Sequence, residues 1–163
     1  MKNEEFKMKN IKDDQYYMMR ALKEAQKAYR QGEVPIGAVI VKDDRIIARA
    51  HNLREKKHDA TAHAEILAIQ KACKKLGGWR LTDCDLYVTL EPCPMCAGAI
   101  IQSRIRKLVI GTTDPKAGAG GSVVDLFNIK TFNHKVEVIQ GVLQQECAAI
   151  LKQFFKELRQ KNR

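Results

Sequence analysis

TLEPCPMCAGA (89–99) closes one element of the chain and opens another. DLYVTL (85–90) leads into it and is rich in strand-forming residues. CPMCAGAIIQSR (93–104) reads as a helix, with Pro94 in the first turn, where a missing N–H costs nothing. RKLVIG (106–111) is the next strand, so a right-handed parallel crossover is expected over 85–111. The same stretch carries two cysteines, Cys93 and Cys96, at a helix start. They suit a redox dithiol, half of a structural zinc site, or two ligands of a catalytic zinc.

Outward from this unit the pattern repeats. DDQYYMMRALKEAQKAYRQ (13–31) reads as a helix, with Met18, Leu22, Ala25 and Tyr29 on one stripe, Asp13 or Asp14 as cap, and Gly32 as its end. VPIGAVIV (34–41) and RIIARAH (45–51) read as strands joined by KDD in a hairpin. After a polar loop, AHAEILAIQKACKKL (62–76) reads as a helix capped by Thr61 and stopped by Gly77. TTDPKAGAGG (112–121) is a loop, SVVDLF at most a short helix, VEVIQGV (136–142) a strand and QECAAILKQFFKELR (145–159) a last helix. Alternating strands and helices with one leading hairpin imply an α/β chain with one mixed sheet of about five strands covered by helices.

At 163 residues the chain fits one domain, 1–163, with 1–12 as a tail. Its apolar runs are too short to span a bilayer, and its first twenty residues lack a signal-peptide core. A cytoplasmic protein is expected. Thiols stay reduced there, and five cysteines do not suggest a disulfide framework.

Lys and Arg number 29 against 19 Asp and Glu, a net charge of +10 that permits a polyanionic partner. KACKK (71–75), RIRK (104–107) and the tail KQFFKELRQKNR (152–163) concentrate the positive charge. Phe154 and Phe155 lie among the basic residues of the tail, a mixture suited to phosphate neutralisation and base stacking. The plainer reading is an amphipathic helix with at least one Phe in the core.

The cysteine pair needs company before it can be read. Cys73, Cys84 and Cys147 are isolated and read as small buried hydrophobes, so a four-ligand structural site lacks its second pair. A catalytic zinc needs three protein ligands and an open position. His63, in TAHAEILA, opens a helix with Glu65 two residues on. A Glu in that position can move protons without binding metal. Both halves of the pattern sit at helix starts, where partial positive charge favours thiolate. Two thiolates and one imidazole would neutralise a zinc ion.

His63, Glu65, Pro92, Cys93 and Cys96 together make H-x-E…P-C-x-x-C, so the chain resembles the cytidine/deoxycytidylate deaminase-like zinc enzymes. Further stretches resemble the bacterial tRNA-specific adenosine deaminases: GEVPIGAVIV, ARAHN, HDATAHAEILAI, WRL, LYVTLEPCPMCAGAI, GTTDPKAGAGGS, FNHKVEV and GVLQQECAAILKQFFKELR, over about 14–160. The resemblance implies a three-layer α/β/α fold of cytidine deaminase type. It implies deamination of the wobble adenosine of a tRNA anticodon to inosine, with one Zn²⁺ per subunit held by His63, Cys93 and Cys96, and with Glu65 as proton shuttle. It implies that Asn52 hydrogen-bonds the target nucleotide and that Val34, Pro35 and Ile36 wall the base. It implies that Asp114 and Lys116 meet the RNA backbone or ribose. Phe154, Phe155, Lys156 and Arg159, in a helix at 145–160, would touch the anticodon loop, and the subunits would pair as a homodimer. MKNEEFKMKNIK precedes the expected start, and Ala60 stands where many members have proline. The competing reading within the same chemistry is a deaminase of a free base or nucleotide, of guanine, cytosine or cytidine type. A non-catalytic zinc-containing RNA-binding module and a redox protein are the readings from other classes.

Overall fold

Both faces of one sheet are covered, and the strand sequences explain why. The computed structural model describes residues 13–162; the proposed tail at 1–12 lies outside them. Strands β1 (Gly37–Lys42), β2 (Arg45–His51), β3 (Asp85–Leu90), β4 (Lys107–Thr112) and β5 (Glu137–Gln140) form a single sheet in the order β2-β1-β3-β4-β5. β1 runs antiparallel to β2 and β3, whereas β3, β4 and β5 are mutually parallel neighbours. This is the mixed five-stranded α/β arrangement expected, with the 85–111 unit parallel. The hairpin turns on Asp43 and Asp44 at φ 50° and 58°, the left-handed pair that a two-residue turn of type I′ requires. A bulge between Ile40 and Val41 shifts the register of the β1–β2 ladder.

Helices α1 (Asp14–Arg30), α2 (Ala64–Leu76), α3 (Pro94–Gln102) and α4 (Gln144–Lys161), with a 3₁₀ turn at Leu126–Asn128, complete the chain. Side chains alternate across each strand. Ala38, Ile40, Leu86, Val88, Leu108 and Ile110 pack with Ala64, Leu67 and Ala68 of α2 and Ile100 of α3. Val39, Val41, Tyr87 and Val109 pack on the other face with Met18, Ala21 and Leu22 of α1 and Cys147 of α4. α2 and α3 therefore share one face, and α1 and α4 the other.

Local details depart from the sequence reading. Asp13 does cap α1, accepting from the Tyr16 amide at 2.8 Å. Thr61 does not cap α2. Its amide and hydroxyl both donate to Asp59, and the helix begins at Ala64, two residues later than expected, with His63 at the cap position. Cys84 and Cys147 are buried as expected, but Cys73 is only half-buried.

The approach of β1 to α1 depends on a missing side chain. A Cβ on Gly37 would sit 2.0 Å from the Ala21 carbonyl oxygen and 2.5 Å from the Ala25 nitrogen, both backbone atoms that cannot swing away. We expect Gly37→Ala to destabilise the protein by about 1–3 kcal/mol or more; an unchanged urea midpoint would refute this packing.

Candidate active site and metal centre

The site is assembled from helix starts. His63 and Cys93 occupy the cap positions of α2 and α3 in extended conformation, at φ/ψ −77°/152° and −72°/171°. Their carbonyls accept the first helical hydrogen bonds, from Leu67 at 3.0 Å and Ala97 at 2.9 Å. Neither side chain caps its own helix. Both turn instead toward a common point. His63 Nδ1 lies 3.7 Å from Cys93 Sγ and 3.5 Å from Cys96 Sγ, and the three ligand atoms all fall within 4.8 Å of one another.

That spacing can be tested against a metal. Zinc binds imidazole nitrogen at about 2.0–2.1 Å and thiolate at about 2.3 Å, so tetrahedral ligation separates nitrogen from sulfur by about 3.6 Å. The two observed distances bracket this value. Among the described residues this is the one His/Cys/Asp/Glu group so arranged. Among the described residues no fourth His, Cys, Asp or Glu joins it, and three ligands are the number a catalytic zinc takes. The Cys93 thiol is pushed down to about 4, chiefly by the hydrogen bond from the Cys96 thiol, while Cys96 is raised by the same bond and by burial. Hydrogen bonding within the pair thus favours the thiolate form of Cys93, and binding a metal would release protons from the pair. His63 is raised, chiefly by its hydrogen bond with Cys93.

Glu65, early in the first turn of α2, is 4% exposed. Burial raises its carboxyl, opposed by its own amide and by His63. A buried carboxyl two residues from His63 is placed to give and take protons beside the ligand cluster.

These groups open into a cleft of about 850 Å³ at the carboxyl ends of β3 and β4. Val34, Ile36 and Asn52 form one wall. The Asn52 amide spans it, donating to the Val34 carbonyl at 3.3 Å and accepting from the Arg54 amide at 3.1 Å, with one N–H and one lone pair left over. Asp114 and Lys116 form part of the opposite wall, where Asp114 Oδ1 accepts from the Lys116 and Ala117 amides and shapes the turn. Phe155, Lys156 and Arg159 of α4 line the rim.

Three expected residues are not in the lining. Cys96 is fully buried and belongs to the site through its cluster with His63 and Cys93. Pro35 is buried between Val34 and Ile36. Phe154 is 9% exposed and packs edge-to-face on Tyr29 of α1 at 5.8 Å, so it belongs to the core and Phe155 alone faces the cleft. Arg54, Glu91, Leu151 and Lys152 line the cleft without having been singled out. Leu151 and Lys152 were accessible in principle, because they precede Phe155 and Lys156 by one helical turn.

A family model described as MafB19-like deaminase matches residues 12–159. The tRNA-specific adenosine deaminase of Bacillus subtilis (strain 168) is 56% identical over 150 residues, covering 92% of this chain and 93% of that one. The chain belongs to the tRNA-specific adenosine deaminase family. A solved structure from studies of A-to-I editing by tRNA:A34 deaminases at the wobble position of transfer RNA superposes with a TM-score of 0.81 at 51% identity, covering 83% of this chain and 99% of that one. A guanine deaminase from Bacillus subtilis shares the fold more distantly, with a TM-score of 0.62 at 34% identity over 91% of this chain and 95% of that one.

Protein purified without chelator should carry about one zinc per chain, and Cys96→Ala should carry little or none by elemental analysis. Equal zinc in both proteins would remove Cys96 from the ligand set.

Proposed function

We propose that this protein is a zinc-dependent hydrolase that converts adenosine to inosine at the wobble position of a tRNA anticodon. One observation carries the reading: the cleft lined by His63, Glu65 and Cys93 is also lined by Phe155, Lys156 and Arg159 of α4. A deaminase of a free base has no use for a cationic, aromatic rim. An anticodon loop offers it both phosphates and unstacked bases.

His63, Cys93 and Cys96 would hold a zinc ion, which would supply Lewis acidity and lower the pKa of a water nucleophile. Glu65 takes the proton of the attacking water as its oxygen bonds to C6 of adenine. It passes that proton to ring N1 and assists proton delivery to the departing amine. Water and adenosine thus become inosine and ammonia. Val34 and Ile36 enclose the base, while the spare N–H and lone pair of Asn52 meet the nucleotide. Asp114 and Lys116 meet its backbone or ribose. Loop bases are already partly unpaired, so drawing one into the cleft costs less than the few kcal/mol, roughly, of flipping from a duplex. The cytosol, where tRNA and reduced thiols coexist, is the matching compartment. No helix among the described residues is long and apolar enough to cross a membrane. A single deaminase domain and a homodimer complete the reading.

The zinc-loaded protein should form inosine in an anticodon stem-loop bearing a wobble adenosine. Guanine, cytosine and cytidine supplied in parallel should release no ammonia. Ammonia from guanine alone would favour the activity of the more distant structural relative. Glu65→Gln should retain zinc and fold while losing at least about 10²-fold in rate; wild-type turnover in that variant would overturn the proton-shuttle assignment. Stem-loop binding should weaken steeply with salt, and Lys156→Ala should reduce the logarithmic salt slope by about one unit. A flat salt response would count against the RNA rim.

A further inference from the structure

Glu91 is the residue between the end of β3 and the Pro92–Cys93 step. It is 2% exposed. Its backbone amide continues the sheet by donating to the Thr112 carbonyl at 2.9 Å. Its carboxylate leaves the strand and enters the loop at 113–122. The Asp114 amide donates to Oε1 at 3.0 Å, and the Gly120 and Ser122 amides donate to Oε2 at 2.8 and 3.1 Å. The Ser122 hydroxyl adds a short bond to Oε1. Four donors from one loop therefore converge on one carboxylate. The Ala119 amide also donates to the Pro92 carbonyl at 2.8 Å, so the loop is held at the two residues that precede the metal ligand.

The loop is built around this group. A Cβ on Gly118 would lie 2.3 Å from the Glu91 carboxyl carbon and 2.5 Å from the Asp114 carbonyl oxygen. Only glycine lets the backbone close over the carboxylate there. The Asp114 amide held by Glu91 starts the turn whose Asp114, Pro115, Lys116 and Ala117 line the cleft.

We infer that Glu91 is a positioning residue for substrate, setting the 113–122 loop as the far wall of the cleft and tying that wall to the strand that ends at Cys93. The inference rests on the RNA-deamination reading of the cleft. Its chemistry requires a carboxylate and not merely a polar group of the same size. With every loop partner a donor, an amide side chain must face at least one N–H or O–H with its own N–H₂. Four bonds to an ionised acceptor hold the loop more firmly than neutral pairs would. The wall is thereby prepared before RNA arrives, and RNA binding does not have to order it.

The test is steady-state kinetics on the anticodon stem-loop with zinc-loaded wild-type, Glu91→Gln, Ser122→Ala and the double variant. Glu91→Gln should retain zinc and raise KM about tenfold or more, with kcat altered by less than about threefold. Ser122→Ala removes one donor from an outer loop position and leaves the amides in place, so it remains folded. It should raise KM by about fivefold. The double variant should be no worse than Glu91→Gln alone, because both act through the same bonds. A general structural role would lower zinc content and the melting temperature while leaving the KM of the remaining holoprotein unchanged, and that result overturns the inference. So does an unaltered KM in Glu91→Gln when wild type turns over. Failure of wild type to form inosine would instead defeat the RNA reading, and this inference with it.

Discussion

Two helices packed on the same face of one sheet, with their N-termini meeting over the same cleft, are the constraint on which the rest of this molecule depends. His63 and Cys93 are 30 residues apart, yet each is the cap residue of its helix, and their ligand atoms approach to 3.7 Å. A side-chain cap stabilises a helix by about 1 kcal/mol. Both helices forgo it, because the side chains at those positions point at each other and not at their own first turns. The first-turn amides and partial positive charge of the helix starts favour thiolate, the Cys96 amide bonding Cys93 directly. Capping stability is exchanged for a ligand set that is already close to tetrahedral spacing.

Burial of charge is the second organising feature. Glu33 and Glu91 are 1% and 2% exposed. An unpaired carboxylate at that depth would be very costly, and both are satisfied by backbone amides. Glu33 accepts from the Glu55 and Lys56 amides at 2.9 and 3.1 Å, on the loop that runs from Asn52 toward His63. Glu91 accepts from the loop on the opposite side. The two walls of the cleft are irregular backbone, which no strand or helix ladder fixes. Each is anchored instead by one buried acid.

Helix α4 divides its labour by periodicity. Cys147 and Phe154 turn inward, the first against the sheet and the second against Tyr29. Leu151, Lys152, Phe155, Lys156 and Arg159 turn toward the cleft. One element thus closes the second layer of the core and carries the cationic rim, so the rim is as rigid as the packing beneath it.

The strands, the helices and the clustering candidates His63, Cys93 and Cys96 were legible in the sequence because they rest on local signals: alternation, proline in a first turn, and H-x-E with P-C-x-x-C at helix starts. Periodicity also reports that one face of α4 is buried, but it does not say which of two adjacent phenylalanines faces inward. That depended on where Tyr29 of α1 lay across the interface. Thr61 had the right chemistry for a cap, but its hydroxyl is turned to Asp59 and the helix starts only after His63. Glu91 carried no local signal: its four donors lie 23 to 31 residues along the chain and meet it only after β4 has been laid beside β3. Residue type and spacing therefore determined the chemistry this chain can perform. Tertiary structure decided which residues surround that chemistry, because a cleft wall is made by contacts between segments distant in sequence.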